Sequence, residues 1–423
     1  MGAVRRALRL VAAQACLLLA GCAASEPGTT IRFWTIGREG EVVEQLLPEF
    51  ERAHPGVHVE VQQIALTAAH EKLLTAFAGD ALPDVSQLGN TWIPEFAALG
   101  ALEPLQERVD ASPVVRSDDY FSGIWDTNVI DGALYGVPWY VDTRLLFYRR
   151  DLLAEAGFDH PPHDWDEWRR AMAGVKANVG ADRYAVYLPL NEFEPLLNLA
   201  LEQPEPLLRD NGTRGNFRSA GFRRAVAFYA EMFAHGWAPE FSNIEMPNVW
   251  DEFARGFVTF YISGPWNIGE FLRREPQLTG RWTTAPLPGP DGVGTGAAGG
   301  SSLVIFHGSK NARLAWELVE YLSATARQQK FYTLTGDLPP RRSAWNDPKL
   351  AGDGYARAFR DQLERAKPTP KVPEWERIVN EMQLAAERIV RGHEPVERAL
   401  EELDARTDAI LEKRRWILAG RAP

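Results

Sequence analysis

The sequence predicts an α/β protein built as two lobes. Three observations carry this. The chain has 423 residues, 45% of them hydrophobic, which is too long for one simple core. From residue 31 onward, strand patterns and helix patterns alternate, the order that gives a parallel sheet with helices on its faces. Over residues 132–157 that alternation changes character, with a turn, an apolar strand and a new helix.

The elements follow in order. IRFWTI, residues 31–36, reads as a strand. EVVEQLLPEFERAH then places Val42, Val43, Leu46, Leu47 and Phe50 at helical spacing. VHVEVQQI, residues 57–64, alternates as a strand does. AHEKLLTAFAG follows as a helix with Gly79 as its stop. PDVSQL is a short strand and WIPEFAALG a short helix. In GALYGVPWYVDTRLLFYRRDLLAEAG, residues 145–148 form the apolar strand and a helix begins near Asp151. Asp164 is the expected N-cap of the next helix, with Glu167 three residues on, a capping box. Residues 248–274 read as helix, buried strand over 258–263, then helix from Pro265. Residues 373–418 are mostly helical. Their apolar stripe of Val396, Ala399, Leu400, Leu403, Ile410 and Leu411 suits packing on the chain's own lobe.

The chain's start is read separately. Arg5, Arg6 and Arg9 precede a short apolar run, then small residues and Cys22. This is the pattern of a secretory signal, too short for an ordinary membrane span. LAGC, residues 19–22, resembles the lipobox of bacterial lipoproteins. That resemblance implies cleavage before Cys22 and diacylglycerol on its sulfur, a lipid anchor in a bacterial membrane. Cleavage near Ala24 to release a soluble protein is the alternative. AASEPGTT reads as a flexible tether. The only other cysteine, Cys16, lies inside the signal. The mature body then has no disulfide, thiol nucleophile or cysteine metal site.

Charge and motifs exclude several functions. Formal net charge is −11, and loss of the first 21 residues, with three arginines and no acid, would leave −14. Nucleic acid rewards basic surfaces, so it is not an expected partner. GTGAAG, residues 294–299, fits G-x-G-x-x-G, but a proline-rich stretch precedes it and a strand, GSSLVIF, follows. A dinucleotide loop needs a strand before and a helix after. Backbone exposure and bending explain the glycines better. The eight histidines are scattered; HPPH (residues 160–163) sits in a proline loop, and HEKLL at His70 lacks the second histidine of a zinc helix. No G-x-S-x-G elbow is present. A glycoside hydrolase would need two paired carboxylates, and no motif pairs them. Neither metal nor cofactor is expected.

Several stretches together resemble the extracellular solute-binding proteins of bacterial carbohydrate ABC transporters, the family that includes maltose and trehalose binding proteins. They are FWTIGREGEVVEQLLPEFERAHPGVHVEV, ALPDVSQLGNTWIPEFAALGALEPL, LYGVPWYVDTRLLFYRRDLLAEAG, FYISGPWNIGEF, APLPGPDG running into GGSSLVIF, and TGDLPPRRSAW. The resemblance spans nearly all of residues 30–345. It implies the two-lobed periplasmic binding protein fold (type II), with sugar in a cleft between lobes that close by hinge bending. The implied crossings lie near residues 139–143, 296–302 and 338–344. The divisions are then a signal over 1–21, a tether over 22–30, one lobe from 31–139 plus 301–340, and the other from 140–300 plus 341–423. The implied partners are a sugar, and a membrane permease with its ATPase; a monomer is expected.

A neutral sugar needs an aromatic face for its C–H surface and donors and acceptors for its hydroxyls. The resemblance assigns these roles to Glu39 (over Glu41), Asn90, Trp92, Tyr140, Asp142, Trp266, Asn267, Gly299, Gly300, Ser301 and Arg341. Glu39 is equally readable as a solvated acid at a helix start. Asn90 stands where family members commonly have an acid, and Trp92 reads as packing or contact. Asp142 precedes an apolar strand at a crossing, and Arg144 could simply pair with a neighbouring acid. Trp266, between a strand end and a helix start, is the chosen stacking face, a core tryptophan being the alternative. Either Arg341 or Arg342 makes the last contact. An α-linked glucose disaccharide, maltose or trehalose, is the expected ligand.

Overall fold

The structure is a computed structural model that describes residues 28–420. The expected signal, Cys22 and the tether up to residue 27 lie outside the described residues.

The first unit holds β1 (Thr29–Ile36), α1 (Glu39–Val43), α2 (Leu47–Ala53), β2 (Val57–Ile64), α3 (Leu66–Ala78), β3 (Val85–Gly89) and α4 (Ile93–Ala98). The single helix expected over residues 41–54 is divided. Pro48 stands at the first turn of α2; it has no N–H, and its ring would meet the carbonyl of residue 44 in a continuous helix. Helix α3 ends at Gly79 as expected, but Gly79 has φ −95°. The left-handed residue is Asp80, at φ 52°. β1 also starts two residues early, taking Thr29 and Thr30 from the expected tether.

β1 runs parallel to β2 along its whole length, Thr29 opposite Val57 and Ile36 opposite Ile64, and parallel to β3 on its other side. β4 (Val137–Asp142) and β9 (Gly299–Ile305) complete a sheet of order β2-β1-β3-β9-β4, with β9 antiparallel to both neighbours. Alternation along β1 divides its core between two faces. Ile31 and Phe33 pack with Val42, Val43 and Phe50; Trp34 and Ile36 pack with Ala69, Leu73 and Phe96.

The second sheet has the order β8-β5-β7-β6, from β5 (Leu145–Arg149), β6 (Tyr184–Tyr187), β7 (Val258–Ser263) and β8 (Trp282–Ala285). Every residue of β7 is buried, as a strand covered by helices on both faces requires. One covering helix, α5 (Trp165–Val179), has the expected N-cap, while the reciprocal bond from Glu167 goes one residue further back than a capping box requires. Asp164 Oδ1 accepts from the Glu167 N–H at 2.8 Å, and the Glu167 carboxylate accepts from the His163 N–H at 2.8 Å. The remaining helices named below are α6 (Glu194–Leu201), α7 (Ala220–Ala234), α8 (Trp266–Arg274), α9 (Ala312–Ser323), α10 (Thr325–Thr335), α11 (Trp375–Val390), α12 (Val396–Ile410) and α13 (Glu412–Ala419). The stripe on α12 faces its own lobe, with Ala399, Leu400, Leu403 and Leu411 fully buried beside Met382 of α11 and Phe222 of α7.

The sheets are joined by short passages lying side by side. Only Thr143 and Arg144 separate β4 from β5. The glycine-rich segment returns to β9, whose first residue Gly299 pairs with Asp142. Leu338 pairs with Val141 through a 2.9 Å hydrogen bond. A fourth pass was not expected: Lys367 donates to the Gly296 carbonyl and accepts from the Ala298 N–H. No helix follows the glycine loop. Gly296 lets the chain approach Thr143, whose hydroxyl lies 2.5 Å from where a Cβ would stand. Gly300 has φ 115°, and a Cβ there would run into the Tyr140 carbonyl.

Gly300→Ala is therefore expected to destabilise the fold by about 1–3 kcal/mol in urea unfolding. Gly269→Ala, inside α8 with open space around its Cβ position, is expected to stabilise by about 0.5–1 kcal/mol.

Candidate functional site

The carboxyl ends of β1, β3 and β4 and the amino end of β9 meet at one edge of the five-stranded sheet, where the second sheet's loops face them. Ligands of open α/β sheets sit beyond such strand ends. Glu39, at the start of α1, is half-buried there, while Glu41 is exposed. The Tyr140 hydroxyl accepts from Gln87 Nε2 and Ser301 Oγ, both at 3.1 Å. Its own proton is left to donate to the Glu39 carboxylate. Gln87 is fixed in turn, because its Oε1 accepts the Ile36 N–H at 2.8 Å.

Burial pushes the Glu39 carboxyl above the usual range. Asp337, following the left-handed Gly336 at the end of α10, stands beside it. Burial, then the Glu39 charge, push Asp337 up to about 7. Asp142 is also raised by burial, with Arg144 pulling the other way.

Arg144 links groups of the two lobes. One terminal nitrogen donates to both Asp142 oxygens at 2.7 Å, and the other donates to Glu194 at 2.7 Å. The guanidinium carbon lies 4.8 Å from the centre of the Trp266 ring, a cation–π stack. Trp266 opens α8 after the Gly264–Pro265 turn, and the missing side chain of Gly264 is what lets the indole lie back over the chain. Of 14 tryptophans, only Trp266 and Trp416 are exposed; Trp266 has 46% of its surface open. Beside it lies a hollow of about 960 Å³, lined by Arg38, Leu334, Gly336 and Leu338.

Elsewhere the cleft is bounded by Asn90–Trp92. Asn90 is buried, accepts from Ser302 Oγ at 3.1 Å, and leaves its Nδ2 without a protein partner. Thr91 hydrogen-bonds Glu376 of α11, whose carboxyl is raised by burial. Glu192 is likewise raised by burial, against the hydrogen bond it receives from Asn243. The carboxylates of Glu39, Asp142, Glu192, Glu194, Asp337 and Glu376 thus gather around Arg144, with Arg38 beside Glu39 and Asp337. Such a set offers many acceptors and one flat apolar face. Among the described residues, no group of three or more His, Cys, Asp or Glu is placed to hold a metal ion.

Four expected contacts are placed differently. Asn267 is 1% exposed, donates to Ser263 Oγ at 2.5 Å and accepts from Trp250 Nε1 at 2.7 Å, so it buttresses the start of α8. Arg341 is buried and pairs with Asp119 at 2.7 Å and the Ser323 carbonyl at 2.8 Å, while Arg342 pairs with Glu364; both tie surface segments together. Ser301 lies between two partner strands and holds Tyr140 in place. Trp92 packs on His70, with ring centres 5.1 Å apart. Gly299 and Gly300 pair only with β4, which leaves one main-chain edge open beside Asp142. Sequence reasoning passed over Gln87, Glu192, Glu194, Asp337 and Glu376. Asp337 and the Glu192–Glu194 pair do follow strand-end or helix-end signals; Glu376 looks like any solvated helix acid.

The sequence matches the family described as Bacterial extracellular solute-binding protein over residues 35–329. The solved sugar-binding protein MalE of Xanthomonas citri is 58% identical, with a TM-score of 0.91, over 93% of this chain and 100% of that one. The diacetylchitobiose binding protein DasA of Streptomyces coelicolor is 24% identical over 88% of each chain. The galactooligosaccharide-binding protein of Bacillus subtilis is 23% identical over 89% of this chain and 88% of that one.

Asp337 gives a pH test. Its folded value of about 7 exceeds the ordinary 3.8, so between these values the folded state holds more protons than the unfolded one. Stability of the ligand-free protein should fall as pH rises from about 4 to 7. In Asp337→Asn that slope should flatten in denaturant titrations run across this range.

Proposed function

The chain belongs to the bacterial extracellular solute-binding protein family, and on that premise we propose that it captures a short neutral oligosaccharide for an ABC importer. Proteins of this family bind and do not transform, so the cleft carboxylates serve as hydroxyl acceptors. The observation that carries the reading is the half-open face of Trp266 stacked on Arg144, with Asp142 and Glu194 held at its edge. A pyranose lays its C–H face on such a ring, and carboxylates each take two hydroxyl protons. Glu39, Tyr140 and Asp337 meet the ligand from the opposite lobe, joined by the open edge of Gly299 and Gly300. The ligand class is an α-linked glucose disaccharide, maltose or trehalose. The similarity to MalE supports this; the diacetylchitobiose and galactooligosaccharide relatives define the competitors.

We place the lobe boundaries where the strands change sheet: 31–142 plus 299–340 in one lobe, 143–298 plus 341–423 in the other. Contacts from both lobes to one ligand favour the closed form. That form is presented to a permease and its ATPase. The protein is exported, acts as a monomer, and is held to a bacterial membrane through lipid on Cys22.

Calorimetric titration of residues 23–423 with maltose, trehalose, sucrose, xylobiose and cellobiose tests the ligand. One sugar should bind at micromolar strength, about −8 kcal/mol, be recovered intact, and lose at least tenfold in affinity in Trp266→Ala. Silence across the panel removes the disaccharide assignment. For the anchor, Cys22→Ser should abolish incorporation of labelled fatty acid; labelling that persists in the variant rejects Cys22 as the site.

A further inference from the structure

Helix α13, sequence EKRRWILA, has no buried residue. Trp416 is 77% exposed and Leu418 38%, although most large apolar groups among the described residues are buried. Lys413, Arg414 and Arg415 form a cationic run directly before them, against the acidic charge of the rest of the protein. Arg415 fixes the helix to the body by donating to the carbonyls of Thr213 and Asp408 at 2.8 and 2.7 Å. The helix is therefore held in place with its apolar tip in water.

Its location matters. Ile417 and Leu418 line a groove with Leu99 and Gly100. Gly100 also lines the adjoining hollow, which reaches Thr30 and Arg32. Thr30 belongs to the first residues of β1, and the cleft lies past the other end of that strand. The two hollows, which share Gly100, connect α13 with the start of β1, where the amino-terminal segment enters the fold. Six residues lie between Cys22 and Thr29, and the seven steps reach about 25 Å when extended. A lipid on Cys22 keeps the bilayer within that distance.

We propose that α13 is a membrane-contact surface, with Trp416 in the headgroup layer of an anionic bilayer and Lys413, three residues before it on the same face, against lipid phosphates. This rests on the lipid-anchor reading of Cys22. Indole rings favour the membrane interface, and basic neighbours are drawn to anionic headgroups. The anchor makes the encounter intramolecular, so a weak contact suffices.

The test uses the lipoprotein in phosphatidylethanolamine–phosphatidylglycerol vesicles with acyl chains brominated near the headgroup. Bromine should quench wild-type tryptophan emission, and that quenched part should be missing in Trp416→Phe, with solute binding unchanged. Lys413→Ala should reduce the Trp416-dependent quenching about fivefold. Equal quenching in wild type and Trp416→Phe, with the protein still on the vesicles, overturns the surface and leaves the anchor. A blue-shifted Trp416 emission without bromine quenching also overturns it, and means that the chain's own flanking segment covers the ring. Protein that stays in the supernatant with an unmodified Cys22 mass removes the anchor reading, and the surface with it.

Discussion

The site depends on one guanidinium. Arg144 lies under the only exposed tryptophan of the cleft and binds two carboxylates from different elements, Asp142 at the end of β4 and Glu194 at the start of α6. Burial works against its charge, and Asp142 and Glu194 hold it charged. Removing it would leave two half-buried acids facing each other and an indole without a base to rest on. The planar fork explains why arginine stands here: it engages one carboxylate with both oxygens, reaches a second, and still offers a flat face to the ring.

The remaining acids make the cleft costly to keep empty. Glu39, Asp337, Glu192 and Glu376 are each raised by burial, so the fold holds them where water solvates them poorly. A ligand rich in hydroxyls relieves that penalty by donating hydrogen bonds. Binding strength and native-state instability then come from the same groups, as is usual where structure is arranged for a site rather than for the core.

Much of the architecture was legible in the sequence because it rests on short-range rules. The strand of residues 57–64, the N-cap at Asp164, and the stripe on α12 all follow from period and turn chemistry. The helix over residues 41–54 was misread because apolar spacing outweighed Pro48 in the reading; in the structure the proline prevails. Tyr140, Asp142 and Trp266 were candidates because they sit at strand ends and crossings, and the structure brings them to the same part of the molecule. Asn267 and Arg341 were not separable from contacts by sequence, since both have the right chemistry and only the fold shows their partners already in place. Glu376 was invisible for the opposite reason: its helix gives no local sign that its first turn faces another lobe.

The pairing of Asp142 with Gly299 places two of the connections between the sheets next to each other, and Leu338 runs along the same edge. Connected this way, the lobes hang on a narrow ribbon instead of separate cords. A ribbon bends readily across its flat face and resists shear in its own plane. Such a joint would confine any relative motion of the lobes to nearly a single rotation and bring the groups on the two walls back to the same facing positions. The joint itself borders the cleft through Asp142, Gly299 and Gly300, so the strands that would guide such a motion also carry candidate contacts.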